Sequence, residues 1–235
     1  MDSSIVAEVR KALISIMPHR AIRDLRRQRR TEINSAAMPY VALGFRMHSG
    51  WGVMVAVDEQ HSVVQRQRIE LVNDGMPGGR QPYHHARDLG LERAERYLSE
   101  YIACCRRSAR DLVKSVVANS ERSSCRIVGA GIVLASAGAL PTVAQILSAH
   151  PLIHTAEGNL FRDVIRQSCE SNQIPVLGIA EKDLKAGAEL RVGRSGKKVK
   201  GRIEETGRSL GPPWNSDHKC AALVACLALH EFGCG

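Results

Sequence analysis

Residues 40–72 read YVALGFRMHSGWGVMVAVDEQHSVVQRQRIELV. Three extended runs lie in this stretch, parted by two short polar turns. Tyr40 to Met47 is the first, His48-Ser49-Gly50 turns the chain, and Trp51 to Val57 is the second. Asp58-Glu59-Gln60-His61 turns it again, and Val63 to Val72 is the third. In the third run Val64, Arg66, Arg68 and Glu70 alternate with Val63, Gln65, Gln67, Ile69 and Leu71. That is the period of a strand with one wetted face. Turns this short between consecutive strands predict an antiparallel meander. Arg46 is a lone charge in an otherwise apolar run, and a charge buried there needs a partner.

Downstream, Asn73 to Pro82 is a Gly/Pro-rich loop, and His84-His85 lies in a loop where it would either touch metal or stand as a solvated pair. Leu89 to Asn119 follows as one long helix, with Leu91, Ala94, Leu98, Ile102, Cys105, Ala109, Leu112 and Val116 three or four apart. Cys125 to Ala135 is a near-continuous apolar run, which predicts a strand buried on both faces in parallel pairing. Pro141 is expected to open a short helix to about Ala149. His150-Pro151 is read as a break, after which Thr155 caps a helix to Asn172 with Glu157 and Gly158 in its first turn. Ile174 to Ala180 is a short strand, and Glu181 to Leu190 is helical in pattern. Gly193 to Gly211 is Gly- and Lys/Arg-rich and reads as a mobile basic loop. Ser216 or Asp217 is expected to cap a last apolar helix running to about His230.

Upstream, Ile5, Val6, Val9, Leu13 and Ile16 make a helical stripe, followed by an arginine run from Arg23 to Arg30. The expected organisation is a basic amphipathic extension over residues 1–37 and one domain over residues 38–235. The net charge of +9 is concentrated in two places. Residues 1–34 hold eight Lys/Arg against four Asp/Glu, and residues 185–208 hold eight against three. Two basic segments on a neutral body suit a polyanion, and equally suit two solvated segments. The seven cysteines include no CxxC pair, which predicts reduced thiols and a cytoplasmic protein. No apolar run of about 18 residues predicts a membrane span. Walker loops, a kinase motif set, a nucleophile elbow and a dinucleotide fingerprint are all missing.

Three antiparallel strands, then helix, strand, helix, strand, helix, resembles the ribonuclease H-like superfamily, nearest to its Holliday-junction resolvase (RuvC-like) branch. The resemblance covers roughly residues 40–231. It is carried by the three-strand opening, the Cys125–Ala135 and Ile174–Ala180 strands, and the ending Asp217-His-Lys-Cys-Ala-Ala-Leu-Val-Ala-Cys-Leu-Ala-Leu. It implies an α/β fold whose mixed central sheet is flanked by helices. It also implies phosphodiester chemistry with Mg²⁺ or Mn²⁺, nucleic acid as partner, and a homodimer. Asp217 stands where the family's helix-opening metal ligand would stand. Arg46 and His48 occupy the region of the family's first-strand Asp, and Ala135-Ser136-Ala137 fills the place of its fourth-strand acid.

The same resemblance would bring Arg46, His48, His154, Glu157, Asp217 and Lys219 towards one cleft. His154 or His48 would serve as acid or base, and Glu157 and Asp217 as catalytic carboxylates and metal ligands. Arg46 and Lys219 would hold an anionic substrate, with Trp51 and Trp214, the only tryptophans, at the pocket edge. No metal-ligand spacing of the HxxxH or CxxC kind is read in support of a single metal held by His, Glu and Asp. Plainer roles stand beside these: a first-turn carboxylate for Glu157, an N-cap for Asp217, a loop histidine for His154, a core cover for each tryptophan. A salt bridge from Arg46 to Glu157 or Asp217 would also account for the charges. Three functions follow: a divergent metal-dependent nuclease, a non-catalytic module binding nucleic acid or a protein partner, or a small-molecule enzyme.

Overall fold

The structure, a computed structural model, describes residues 38–73, 75–135, 140–184 and 196–233. The expected extension over residues 1–37, the Ser136-Ala137 part of the segment after Ala135, and residues 185–190 of the helix expected from Glu181 lie outside them.

The three opening runs are strands β1 (Tyr40–Met47), β2 (Trp51–Asp58) and β3 (Val63–Glu70), paired antiparallel in sequence order. Helices α1 (Pro82–Arg87) and α2 (Leu91–Arg122) lead to β4 (Arg126–Leu134), which lies parallel to β1. Helices α3 (Val143–Ser148) and α4 (His150–Ser171) lead to β5 (Val176–Ala180), parallel to β4. A 3-10 turn at Glu181–Asp183, helix α5 (Gly196–Leu210) and helix α6 (Ser216–Phe232) complete the described chain. The sheet order is β3-β2-β1-β4-β5. This is a five-stranded mixed sheet, antiparallel over β1 to β3 and parallel from β1 through β4 to β5, flanked by helices.

Alternation along β1 sorts the layers. Leu43, Phe45 and Met47 enter one core with α2 and α4. Ala42 enters the other, beneath α6, and Arg46 shares its face. On α2 the buried residues Ala94, Leu98, Tyr101, Cys105, Ala109, Val113 and Val116 repeat every three or four positions, giving one apolar stripe. Helix α6 is different. Ala221, Ala222, Val224, Ala225, Cys226, Leu227, Ala228 and Leu229 are all buried, as in a helix covered nearly all round.

Glycine makes this possible. Gly44 of β1 and Gly131 of β4 face each other across the parallel ladder. A Cβ on Gly44 would collide with the Ala221 carbonyl oxygen, and one on Gly131 with the Val224 carbonyl oxygen. The α6 backbone therefore rests directly on the sheet at the glycine pair. At its far end, the Phe232 ring fills the space over Gly129.

Four local expectations are corrected. His150-Pro151 begins α4 instead of breaking it, because proline in the first turn removes an N–H that has no helical acceptor anyway. Thr155 is therefore interior, its hydroxyl donating to the Pro151 carbonyl at 2.9 Å. Residues 196–210 of the expected basic loop are helix α5, where Val199 and Ile203 are buried four residues apart. His84 and His85 lie in α1, again opened by a proline, Pro82. The caps differ too: Thr142 forms a capping box with Gln145 at α3, and Asn215 caps α6.

Gly44→Ala must push α6 off the sheet, since the obstacle is backbone and not a flexible side-chain end. Overpacking of this kind costs about 1–3 kcal/mol. Urea unfolding is expected to show at least that loss, whereas Gly201→Ala, inside α5 with open space around it, should raise stability by about 0.5–1 kcal/mol.

Candidate functional site

At the C-terminal end of β1, Arg46 meets the start of α6 and the end of β5. Its Nη2 lies 2.9 Å from Glu181 Oε2, and its Nε lies 3.7 Å from Asp217 Oδ1. The Arg46 side chain is only 14% exposed, so its charge depends on these carboxylates. His48 Nε2 is 3.0 Å from the same Asp217 oxygen. The His48 ring stacks on Trp51 with centroids 4.4 Å apart, and the Arg68 guanidinium lies 4.0 Å from the Trp51 ring on β2. Arg68, Trp51, His48, Asp217, Arg46 and Glu181 thus form one continuous chain of contacts.

The start of α6 is held separately. Asn215 Oδ1 accepts from the backbone N–H of Asp217 and of His218, and the His218 ring lies against it at 2.6 Å. Burial, and then the Arg66 charge, lower the His218 pKa, while Asp217 opposes them. Arg66 of β3 donates to the carbonyls of Leu210, Gly211, Pro212 and Pro213 at 2.6–3.4 Å, clasping the α5–α6 connection. Trp214 packs on His218, and its buried indole N–H finds no acceptor among the described residues. A cleft of about 290 Å³ opens between Trp51, Arg66, Arg68, Pro213 and His218.

A second group lies where α1 crosses the first turns of α4. Glu157, 2% exposed, accepts from the backbone N–H of Tyr83 and His84, each at 3.2 Å, and from His84 Nδ1 at 2.9 Å. His84 Nε2 lies 3.3 Å from His150 Nε2, and the His154 ring packs against both.

The residues expected in one cleft therefore fall into two groups. Arg46, His48, Trp51 and Asp217 come together, and of the two partners expected for Arg46 it is Asp217 that it meets. His154 and Glu157 belong to the other group. Lys219 turns to Glu204 of α5 at 3.0 Å, and Trp214 to His218. Sequence reading misses Glu181, Arg68 and His150, and it places His84, a residue able to touch metal, in a loop. A signal exists for His150 and His154, which are four apart on one helix once Pro151 is allowed in its first turn. None exists for Glu181, an exposed acid just past β5.

The pair of Mg²⁺ or Mn²⁺ ions that the resemblance implies does not fit the Arg46 group. Two dications about 4 Å apart need several carboxylates. Here Asp217 and Glu181 are already engaged by a guanidinium, and Arg162 adds a further positive charge that bears on Arg46.

No family model matches the chain, and no curated protein does. Among solved structures it is similar to Thermus thermophilus RuvC in complex with a Holliday junction substrate. The TM-score is 0.46 at 8% identity, over 80% of this chain and 91% of that one. A second Thermus thermophilus RuvC structure gives 0.42 at 8% identity, over 80% and 92%.

Two outcomes follow from this geometry. Asp217→Ala leaves Arg46 with only the half-exposed Glu181, and should lower stability by about 1–3 kcal/mol in urea unfolding. Glu181→Ala should cost less. Because the folded state holds His218 below its usual 6.5, the unfolded chain binds the proton first as pH falls. Stability should therefore decline below pH 6.5, with His61, also lowered chiefly by burial, acting in the same direction. Urea midpoints across that range should flatten in His218→Asn.

Proposed function

We propose that this chain is a ribonuclease H-like module that binds nucleic acid without two-metal cleavage. The observation that carries the binding is on α2. Arg106, Arg110 and Lys114 are exposed and lie four residues apart, about 6 Å of rise each, on one face of the helix. Arg107 is exposed beside them, and Asp111 is the one acid between Arg106 and Lys114. None of the four cations has an ion-pair partner among the described residues. Like charges at this spacing weaken a helix by about 0.2–0.5 kcal/mol per pair, so the row is a cost to the isolated helix. A regularly charged backbone turns that cost into attraction by releasing its counterions.

The second reading, a divergent nuclease, rests on the His48–Asp217 pair. A carboxylate 3.0 Å from an imidazole orients it as a base, and Arg46 and Arg68 stand nearby for an anionic substrate.

Fluorescent duplex, single-stranded and four-way-junction DNA would separate these readings, with binding measured at several salt concentrations and cleavage with and without Mg²⁺ or Mn²⁺. The expected result is salt-sensitive binding without cleavage. Replacing Arg106, Arg110 and Lys114 by Glu should abolish it, and replacing them by Gln should lower the slope of log affinity against log salt by roughly two to three. Cleavage lost in Asp217→Ala would replace this reading with the nuclease. Neither binding nor cleavage would remove both.

A further inference from the structure

The geometry points to a three-histidine site for a zinc-class divalent ion, formed by His84, His150 and His154 and oriented by Glu157. It does not depend on the nucleic-acid reading, and none of its residues touches Asp217.

The site begins with the helix start. Because α4 opens at His150, residues His150, His154 and Glu157 fall at i, i+4 and i+7 on one face. Helix α1 packs across that face and adds His84. One ligand atom from each of the three histidines lies within 4.8 Å of the other two. At a metal–nitrogen distance of about 2.05 Å, two ligands at the tetrahedral angle are about 3.3 Å apart. His84 Nε2 and His150 Nε2 are 3.3 Å apart. His154, exposed like His150, has a ligand atom within 4.8 Å of both, so a side-chain rotation would complete the set.

Glu157 sets the protonation pattern. A carboxylate only accepts, so the 2.9 Å contact requires His84 to carry a proton on Nδ1. In the neutral ring the lone pair is then on Nε2, aimed at His150. This is the carboxylate–histidine–metal relay, in which the carboxylate fixes the tautomer and raises ligand basicity. It also answers an energetic problem. Glu157 is buried, and its one ion-pair partner among the described residues is His84. A buried carboxylate beside a neutral ring is costly, and a cation on the far side of that ring offsets it.

The donor set selects the ion. Three imidazoles suit Zn²⁺, Co²⁺ or Cu²⁺, whereas Mg²⁺ and Mn²⁺ prefer oxygen. Three protein ligands leave a fourth position, and the exposure of His150 and His154 turns it to solvent.

The test uses the full chain, stripped with a chelator and titrated with Co²⁺, then with Zn²⁺ in competition. Visible d–d absorption reports coordination geometry, calorimetry the stoichiometry, and thermal unfolding the linkage to folding. One Co²⁺ per chain is expected, with strong tetrahedral bands displaced by one equivalent of Zn²⁺, and Zn²⁺ should raise the unfolding temperature. His150→Ala/His154→Ala changes two exposed side chains, so it should stay folded. It should lose affinity on the order of 100-fold or more, together with the thermal shift. Glu157→Gln should weaken binding by roughly 10–100-fold. The proposal is overturned by absent binding, by weak six-coordinate bands, by thiolate charge-transfer bands, or by binding that survives the double variant. Absent binding would leave the His84–Glu157 contact as a structural tie between α1 and α4.

Discussion

The contact on which this fold turns is the seat of α6 on Gly44 and Gly131. Two neighbouring strands present hydrogen atoms where any other residue would present a methyl group. The helix answers with Ala221, Ala225 and its own carbonyls. The closeness of that fit explains why α6 is alanine-rich and buried nearly all round, and why its first turn arrives beside the end of β1. Asp217 meets Arg46 because the backbones beneath them already touch. Close packing and charge pairing are here one arrangement seen at two levels.

That arrangement also sets a charge pattern opposite to that of a two-metal centre. Such a centre clusters carboxylates and offsets them with dications. Here a guanidinium takes the position between Asp217 and Glu181, so the offset is covalently part of the chain. The His48–Trp51–Arg68 stack extends it to the edge strand β3. A region compensated in this way has little call on divalent ions.

Much of the sheet is legible in the amino-acid sequence. Alternation and short turns mark β1 to β3, because an edge strand with one wet face writes its period into the chain. The buried strand β4 is visible as an apolar run. What is not legible depends on contacts distant in sequence. Nothing local distinguishes Gly44 from a turn glycine, and nothing near Glu181 says that β5 delivers it to Arg46. Prolines mislead in a consistent way. Pro82 and Pro151 read as loop or break signals, although each sits in a first turn that needs no N–H. That misreading hides His150 and places His84 in a loop, while it is the resemblance that assigns His154 and Glu157 to the Asp217 cleft. Helix α5 is hidden by its glycines, yet Gly207 is there because Trp214 lies against it.

The Phe232 ring over Gly129 gives the glycine seat a further meaning. Helix α6 is held near both ends, by backbone at one and by a ring at the other, so it resembles a keyed shaft. Sliding it by a single residue, about 1.5 Å, would take the Ala221 and Val224 carbonyls off the two glycines and towards strand positions that carry a Cβ. The location of the charges at its first turn is thus governed by steric exclusion and not by their attraction. A scaffold built this way separates address from cargo. The backbone dictates where a side chain at position 46 or 217 must stand, and leaves open which chemical group is delivered there.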